Sequence, residues 1–181
     1  MTESAVSGKI WVLSDDKSNL IENIDTDQIY HNAHLHITEK EEMGEYTFGN
    51  LEGWKDFPHK SKLGDILVVG RNFGAGSSRQ QAVDCFVSLK IGAILSPSFG
   101  AIYFRNAVNS GFPVLRCPAI KQLVEEEKLE TGDEIQVFFV SGKATVVDKN
   151  VSFHVFPMSE VQHEIYLAGG LYNYGKTGNH D

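Results

Sequence analysis

The sequence predicts an α/β fold, a mixed sheet with flanking helices that ends in an antiparallel meander. Three observations predict it. Short apolar, strand-like runs such as Asp65–Val69 and Ala93–Leu95 alternate with segments whose apolar residues recur every three or four positions. From Glu134 onward this helical spacing gives way to consecutive strand-like runs. The chain has 181 residues, 41% of them hydrophobic, and no internal repeat, so it buries a substantial core and is most simply one domain over residues 1–181.

Gly8–Leu13 reads as the first strand, followed by a polar loop through Asn23–Ile29. A helical piece is expected over Glu39–Tyr46, whereas Thr47–Lys62, with Gly49, Gly53 and Pro58, reads as an irregular connection. Asp65–Val69 is a strand that stops at Gly70. Ala82, Cys85, Phe86 and Leu89 then place one apolar stripe on a helix. After the short strand Ala93–Leu95, Ser98 is expected to cap a helix that carries Ile102, Asn106 and Asn109 on one face and ends at Gly111. Val114–Leu115 gives a strand and Ile120–Glu127 a short helix. The meander runs through Glu134–Val140, Lys143–Val147 and Val151–Phe156, with Ser141-Gly142 as a two-residue hairpin turn. A last helix, Ser159–Leu167, ends at Gly169-Gly170.

Composition narrows the function. A net charge of −8 argues against a nucleic-acid footprint, although Arg71, Arg79 and Arg105 leave room for a local anion site. Cys85 and Cys117 are too few for a disulfide framework and form no C-x-x-C pair. They read as buried core thiols, and unaided they cannot ligate an iron–sulfur cluster. No apolar run approaches membrane-spanning length and the N-terminus lacks the regions of a signal peptide, so a soluble, cytoplasmic protein is expected.

The richest stretch is Gly70-Arg71-Asn72-Phe73-Gly74-Ala75-Gly76-Ser77-Ser78-Arg79-Gln80-Gln81-Ala82, which runs from a strand into an amphipathic helix. Its glycines permit positive φ and close backbone approach, and Ser77 and Ser78 are cap-forming residues. Ser77, Ser78 and Arg79 are therefore expected at or just before a helix N-terminus, where unpaired N–H groups, the macrodipole and an arginine fork favour a carboxylate or phosphate. The same residues also suit a plain strand-to-helix connector. A phosphate loop is excluded because no lysine precedes the serines, and a dinucleotide fingerprint because Arg79 stands where its third glycine belongs. A nucleophile elbow is excluded because no glycine follows Ser77 at the required spacing.

Together with two other segments this loop carries a family resemblance. Gly70–Ala82 resembles the active-site loop of the aconitase superfamily swivelling domain, in which a glycine loop leads into Gly-Ser-Ser-Arg. Asn23-Ile24-Asp25-Thr26-Asp27-Gln28-Ile29 resembles that family's N-terminal loop, and Ser98–Ala107 its second helix signature. The likeness extends from about Gly8 to about Lys176, residues 8–176 forming the core. A chain this short is similar to the free-standing small subunits of 3-isopropylmalate dehydratases and archaeal-type homoaconitases.

The resemblance implies a swivelling β/β/α domain that works as half of a two-subunit hydro-lyase. Such enzymes isomerise a 2-hydroxy acid by dehydration and rehydration. A large partner subunit carries the [4Fe–4S] cluster, the Lewis acid for the hydroxyl, and this chain binds no metal. By the same resemblance Ser77 is the base that takes a carbon-bound proton, and Ser78 and Arg79 hold a substrate carboxylate. Thr26 lies in the loop that lines the substrate, and Asp27 is an active-site residue that orients the site or its proton transfers. A turn-capping aspartate accounts for Asp27 equally well. An ordinary serine is a weak acid, so its ionised form needs the helix end, backbone donors and Arg79. Gln80-Gln81 stands where the family usually has Glu-His or Glu-Gln, which removes an acidic partner, and Ala75 stands where cysteine is common. His34-Leu35-His36 aligns with a Tyr-Leu-x element whose last residue selects substrate, so His36 is a substrate-side candidate. With no fixed charge there, an alkyl-substituted malate such as 3-isopropylmalate, in leucine biosynthesis, is favoured over homoaconitate, citrate or dimethylmalate. A non-catalytic carboxylate-binding domain is the reading of a different class.

Overall fold

The computed structural model describes residues 2–177. In chain order its elements are β1 (Ala5–Val12), α1 (Thr26–Ile29), α2 (Lys40–Met43), α3 (Phe57–Lys60), β2 (Ile66–Val68), α4 (Gln81–Ser88), β3 (Ala93–Ser96) and α5 (Ala101–Asn109). Then follow β4 (Val114–Arg116), α6 (Ile120–Glu125), β5 (Glu134–Phe138), β6 (Lys143–Val146), β7 (Val151–His154), α7 (Glu160–Ala168) and α8 (Leu171–Thr177).

The strands form one seven-stranded sheet in the order β4-β3-β2-β1-β5-β6-β7. β1 to β4 pair in parallel, as helical crossovers require, whereas β5 joins β1 antiparallel and continues into the β5-β6-β7 meander. The apolar runs in the parallel half reflect burial on both faces. Ile10, Val12, Ile66, Val68, Ala93 and Leu95 face one core, while Leu13, Leu67, Val69 and Ile94 face the other. α4 and α5 cover this second core with Ala82, Val83, Phe86, Tyr103 and Ala107, and α6 closes the first with Ile120 and Leu123. Beyond β7, the Phe156 N–H donates to Arg116 O of β4 at 2.8 Å, so the sheet curls until its two edges meet. The expected α/β class, mixed sheet and antiparallel meander are all present.

Several local expectations are corrected. The β5–β6 connection is not a two-residue turn: β5 ends at Phe138, β6 begins at Lys143, and Phe139 between them is fully buried. Its side chain is drawn into the core, which lengthens the loop. The Thr47–Lys62 connection contains α3, and the Glu39–Tyr46 helix is α2 followed by a 3₁₀ turn over Gly44–Tyr46. α8 lies beyond the expected last helix. That last helix, α7, is bounded as its residues suggest, by a Ser159–Gln162 capping box and by Gly169 at φ 74. Both cysteines are buried and unpaired. Among the described residues no helix is long and apolar enough to cross a membrane.

Candidate active site

Two loops make the site, and backbone pairing fastens them together. The Gly74 N–H donates to Ile24 O at 2.7 Å and the Thr26 N–H to Ala75 O at 2.9 Å, giving a parallel bridge between Asp25 and Ala75. Further back, Asn72 Nδ2 donates to Asn23 Oδ1 at 3.0 Å, and both asparagines take the left-handed conformation, which their short polar side chains tolerate. Phe73 pins the glycine-rich loop from below, its buried ring packed against Phe86, Phe99 and Tyr103. Gly74 is obligatory twice over, because it has φ 77 and a Cβ there would overlap the Tyr103 side chain. On the other loop, Asp25 and Gln28 form a capping box that starts α1 immediately before Thr26 and Asp27.

Ser77 and Ser78 lie just before a helix, as expected, but neither caps it. α4 begins at Gln81 with Gln80 in the cap position, so Ser77 and Ser78 lie in the preceding turn and are exposed. The Ser77 carbonyl accepts from the Arg79 N–H at 2.8 Å, and this tight turn delays the helix. Ser98 likewise does not cap α5, whose cap residue is Gly100; its hydroxyl accepts from the Asn72 N–H at 2.9 Å and braces the glycine-rich loop instead.

The loop pairing brings four of the candidate residues together. Thr26 Oγ1 lies 3.2 Å from Ser77 Oγ, a hydroxyl pair in which either can donate. Arg79, with its side chain only 13% exposed, donates from Nη1 to Asp27 Oδ1 at 2.9 Å and to Tyr30 O at 2.6 Å, with Thr26 O at 3.4 Å. Asp27 Oδ1 also accepts from the Asn32 N–H at 3.0 Å. The hydrogen bond from Arg79, aided by Asn32, holds the Asp27 carboxyl below its ordinary range, so it is an anion at neutral pH. A carboxylate held this way is a poor proton donor and a good anchor for a guanidinium.

Other candidates stand apart. Ser78 is exposed beside Ser77. His36 is exposed, its Nδ1 3.1 Å from Ala33 O. Of the nearby histidines it is His34 that packs, its ring stacked on Tyr46 at 4.2 Å. Burial, then the neighbouring His31 and His36, lower its pKa and keep it neutral. Gln80 ties α4 to the end of α5, its Nε2 donating to Asp84 Oδ1 at 3.0 Å and to Ser110 Oγ at 2.9 Å. Sequence reasoning missed Asn50, whose Nδ2 reaches Asp27 Oδ2 at 3.1 Å, and the Tyr30 carbonyl that grips Arg79. Neither carries a sequence signal, since one is an asparagine in an apparent connection and the other a backbone atom.

The cysteines do not fit a cluster. Cys85 belongs to the core under α4 and Cys117 to the core on the other face, and burial pushes their thiols up to about 12 and about 11. Among the described residues no three His, Cys, Asp or Glu side chains group to hold a metal ion.

Residues 13–119, which include both loops and the Ser98 segment, match the family model for the aconitase C-terminal domain. The chain belongs to this family. Among its relatives, a 3-isopropylmalate dehydratase small subunit of Aliarcobacter butzleri is 33% identical over 174 residues, 96% of either chain. That of Caldicellulosiruptor saccharolyticus is 37% identical over 155 residues, 86% of either. Small subunit 1 of Archaeoglobus fulgidus is 35% identical over 94% of this chain and 96% of its own. A crystal structure of 3-isopropylmalate dehydratase (LeuD) from Methanocaldococcus jannaschii matches with a TM-score of 0.81 and 28% identity, covering 96% of this chain and 95% of that one. The aconitase C-terminal domain fold, expected from three short segments, thus extends over nearly the whole chain.

Proposed function

We propose that this chain is the small subunit of a two-subunit hydro-lyase that interconverts 2-isopropylmalate and 3-isopropylmalate in leucine biosynthesis. Its large subunit carries the iron–sulfur cluster, since Cys85 and Cys117 lie in separate cores and cannot meet at one. The observation that carries the reading is the clamped pair of loops: an exposed serine beside a threonine hydroxyl, next to an arginine oriented by a carboxylate, in a chain aligned end to end with dehydratase small subunits.

In the reaction a carbon-bound proton and the hydroxyl of the adjacent carbon leave as water, and water returns with the two positions exchanged. This chain supplies the proton half. Ser77 Oγ acts as the alkoxide, stabilised by a hydrogen bond donated from Thr26 Oγ1, 3.2 Å away, and becomes the neutral hydroxyl as it takes the carbon-bound proton. Arg79 binds a substrate carboxylate with the fork nitrogens that Asp27 and Tyr30 leave free, and Ser78 adds a hydroxyl at the same rim. Asp27 acts by orienting Arg79 and not by carrying a proton, because its carboxyl is held ionised. His36, exposed and apart from Thr26, Asp27, Ser77 and Arg79, is a substrate-side residue on the strength of the family likeness.

The test is reconstitution with the cluster-bearing large subunit and an assay of alkene formation from several malates. Ser77→Ala is expected to lower kcat by about a thousandfold, about 4 kcal/mol of barrier, with KM little changed. The exposed hydroxyl contributes little to folding, so the melting temperature stays put. Turnover near the wild-type rate would overturn the base assignment.

A further inference from the structure

We propose that Asn50 is a positioning residue that sets the Asp27–Arg79 pair from a third segment of the chain. The proposal rests on the reading of Arg79 as the substrate-carboxylate residue. Asp27 Oδ1 accepts from both Arg79 Nη1 and the Asn32 N–H. Oδ2 accepts from Asn50 Nδ2 at 3.1 Å, and the same amide lies 3.5 Å from the Asp27 carbonyl. A further neighbour of Oδ2 is His31, whose Nε2 is 3.9 Å away, beyond hydrogen-bond reach. His31 Nδ1 accepts from the Ala33 N–H, so in the neutral ring the proton sits on Nε2, facing Asp27. Asn50 thus fixes the rotation of the carboxylate about its own axis, and with it the direction in which Oδ1 holds the guanidinium.

The delivery of Asn50 is built into the fold. Two residues earlier Phe48 takes φ 59, a left-handed conformation that a bulky side chain adopts only when its surroundings impose it. Phe48 is fully buried, packs its ring on Phe57 and Phe86, and donates its N–H to Ile29 O at 2.8 Å, at the end of the helix that carries Asp27. The reversed backbone at Phe48, followed by a Leu51 N–H bond back to Phe48 O, turns Asn50 toward Asp27. Without that turn the segment would run past the site as the plain connection its sequence suggests.

The test pairs Asn50→Asp with Asn50→Ala. Asp27 faces Arg79 and His31 as its charged or titratable neighbours, and Asn50→Asp adds a carboxylate at hydrogen-bond distance. Carboxyl carbon NMR on the full small subunit is expected to show Asp27 titrating about one pH unit higher in Asn50→Asp and by a smaller upward step in Asn50→Ala. In the reconstituted enzyme KM rises several-fold with kcat nearly unchanged. An unmoved Asp27 titration in Asn50→Ala would overturn the proposal whatever Asn50→Asp shows, because the added charge of Asn50→Asp acts on Asp27 by proximity alone. If instead the wild-type pair of subunits turns over no 2-hydroxy acid, the functional reading fails, while the NMR titration still decides what Asn50 does to Asp27.

Discussion

Arg79→Ala is the perturbation whose cost the structure defines most closely. It removes three things: an ion pair to Asp27 at 2.9 Å, a donor to the Tyr30 carbonyl at 2.6 Å, and a side chain that is only 13% exposed. A charge-assisted bond is worth about 1.5–3 kcal/mol when buried. Asp27 keeps 38% of its side chain exposed, so the pair falls below that range, at about 1 kcal/mol. The Tyr30 carbonyl belongs to a fully buried residue, and stripping its donor costs a further ~1–2 kcal/mol. The total, about 2–3 kcal/mol, corresponds to a fall in Tm of about 5–10 °C for a domain of this size. Thermal unfolding of the isolated chain, followed by circular dichroism at pH 7, measures it. The pH dependence supplies a second check. The Asp27 pKa is depressed in the folded state, so its contribution is complete above the ordinary value of 3.8 and is lost as the pH falls through the folded value. The deficit of Arg79→Ala relative to wild type must therefore shrink below about pH 4. A Tm within ~1 °C of wild type at pH 7, or a deficit that grows on acidification, would refute the ion-pair reasoning.

Other substitutions probe the frame around the site. Gly74→Ala forces a side chain into a positive-φ position against the Tyr103 ring and is expected to cost about 2–4 kcal/mol in urea unfolding, with turnover lost in step. Gln80→Glu replaces the amide that donates to the buried Asp84 with a second carboxylate, against which Lys40 Nζ at 3.4 Å is the one cation paired with Asp84 among the described residues, so urea stability falls at pH 7. Native alkylation at pH 8 should leave Cys85 and Cys117 unlabelled, because both thiols are buried and burial raises their pKa; labelling becomes complete in denaturant, by intact mass.

The parallel half of the fold was legible because its strands are buried on both faces and read as unbroken apolar runs, and α7 because its capping box and terminal glycine are local signals. The β5–β6 connection misled because Ser141-Gly142 has turn chemistry, while the decisive event, the burial of Phe139, is tertiary. The serines misled in the same way. Ser77, Ser78 and Ser98 are all good cap residues in isolation, yet contacts between segments distant in the chain set the loop in which they sit. Thr26, Asp27, Ser77 and Arg79 were found through the family likeness and are held as a group by the structure. Asn50 escaped because nothing local marks the left-handed Phe48 that aims it.

The two hydrogen bonds that fasten the Asp25 loop to the Ala75 loop have a consequence for assembly. Ordering two flexible loops costs on the order of 1 kcal/mol or more per residue in lost conformational freedom. Here that cost is met when the chain folds, because the loops are paired to each other and braced by Phe73 and Ser98. A docking partner then meets loops that are already ordered and spends none of its interface energy on arranging them. Binding of a partner at this face should accordingly show no coupled-folding contribution from these two loops to its heat-capacity change.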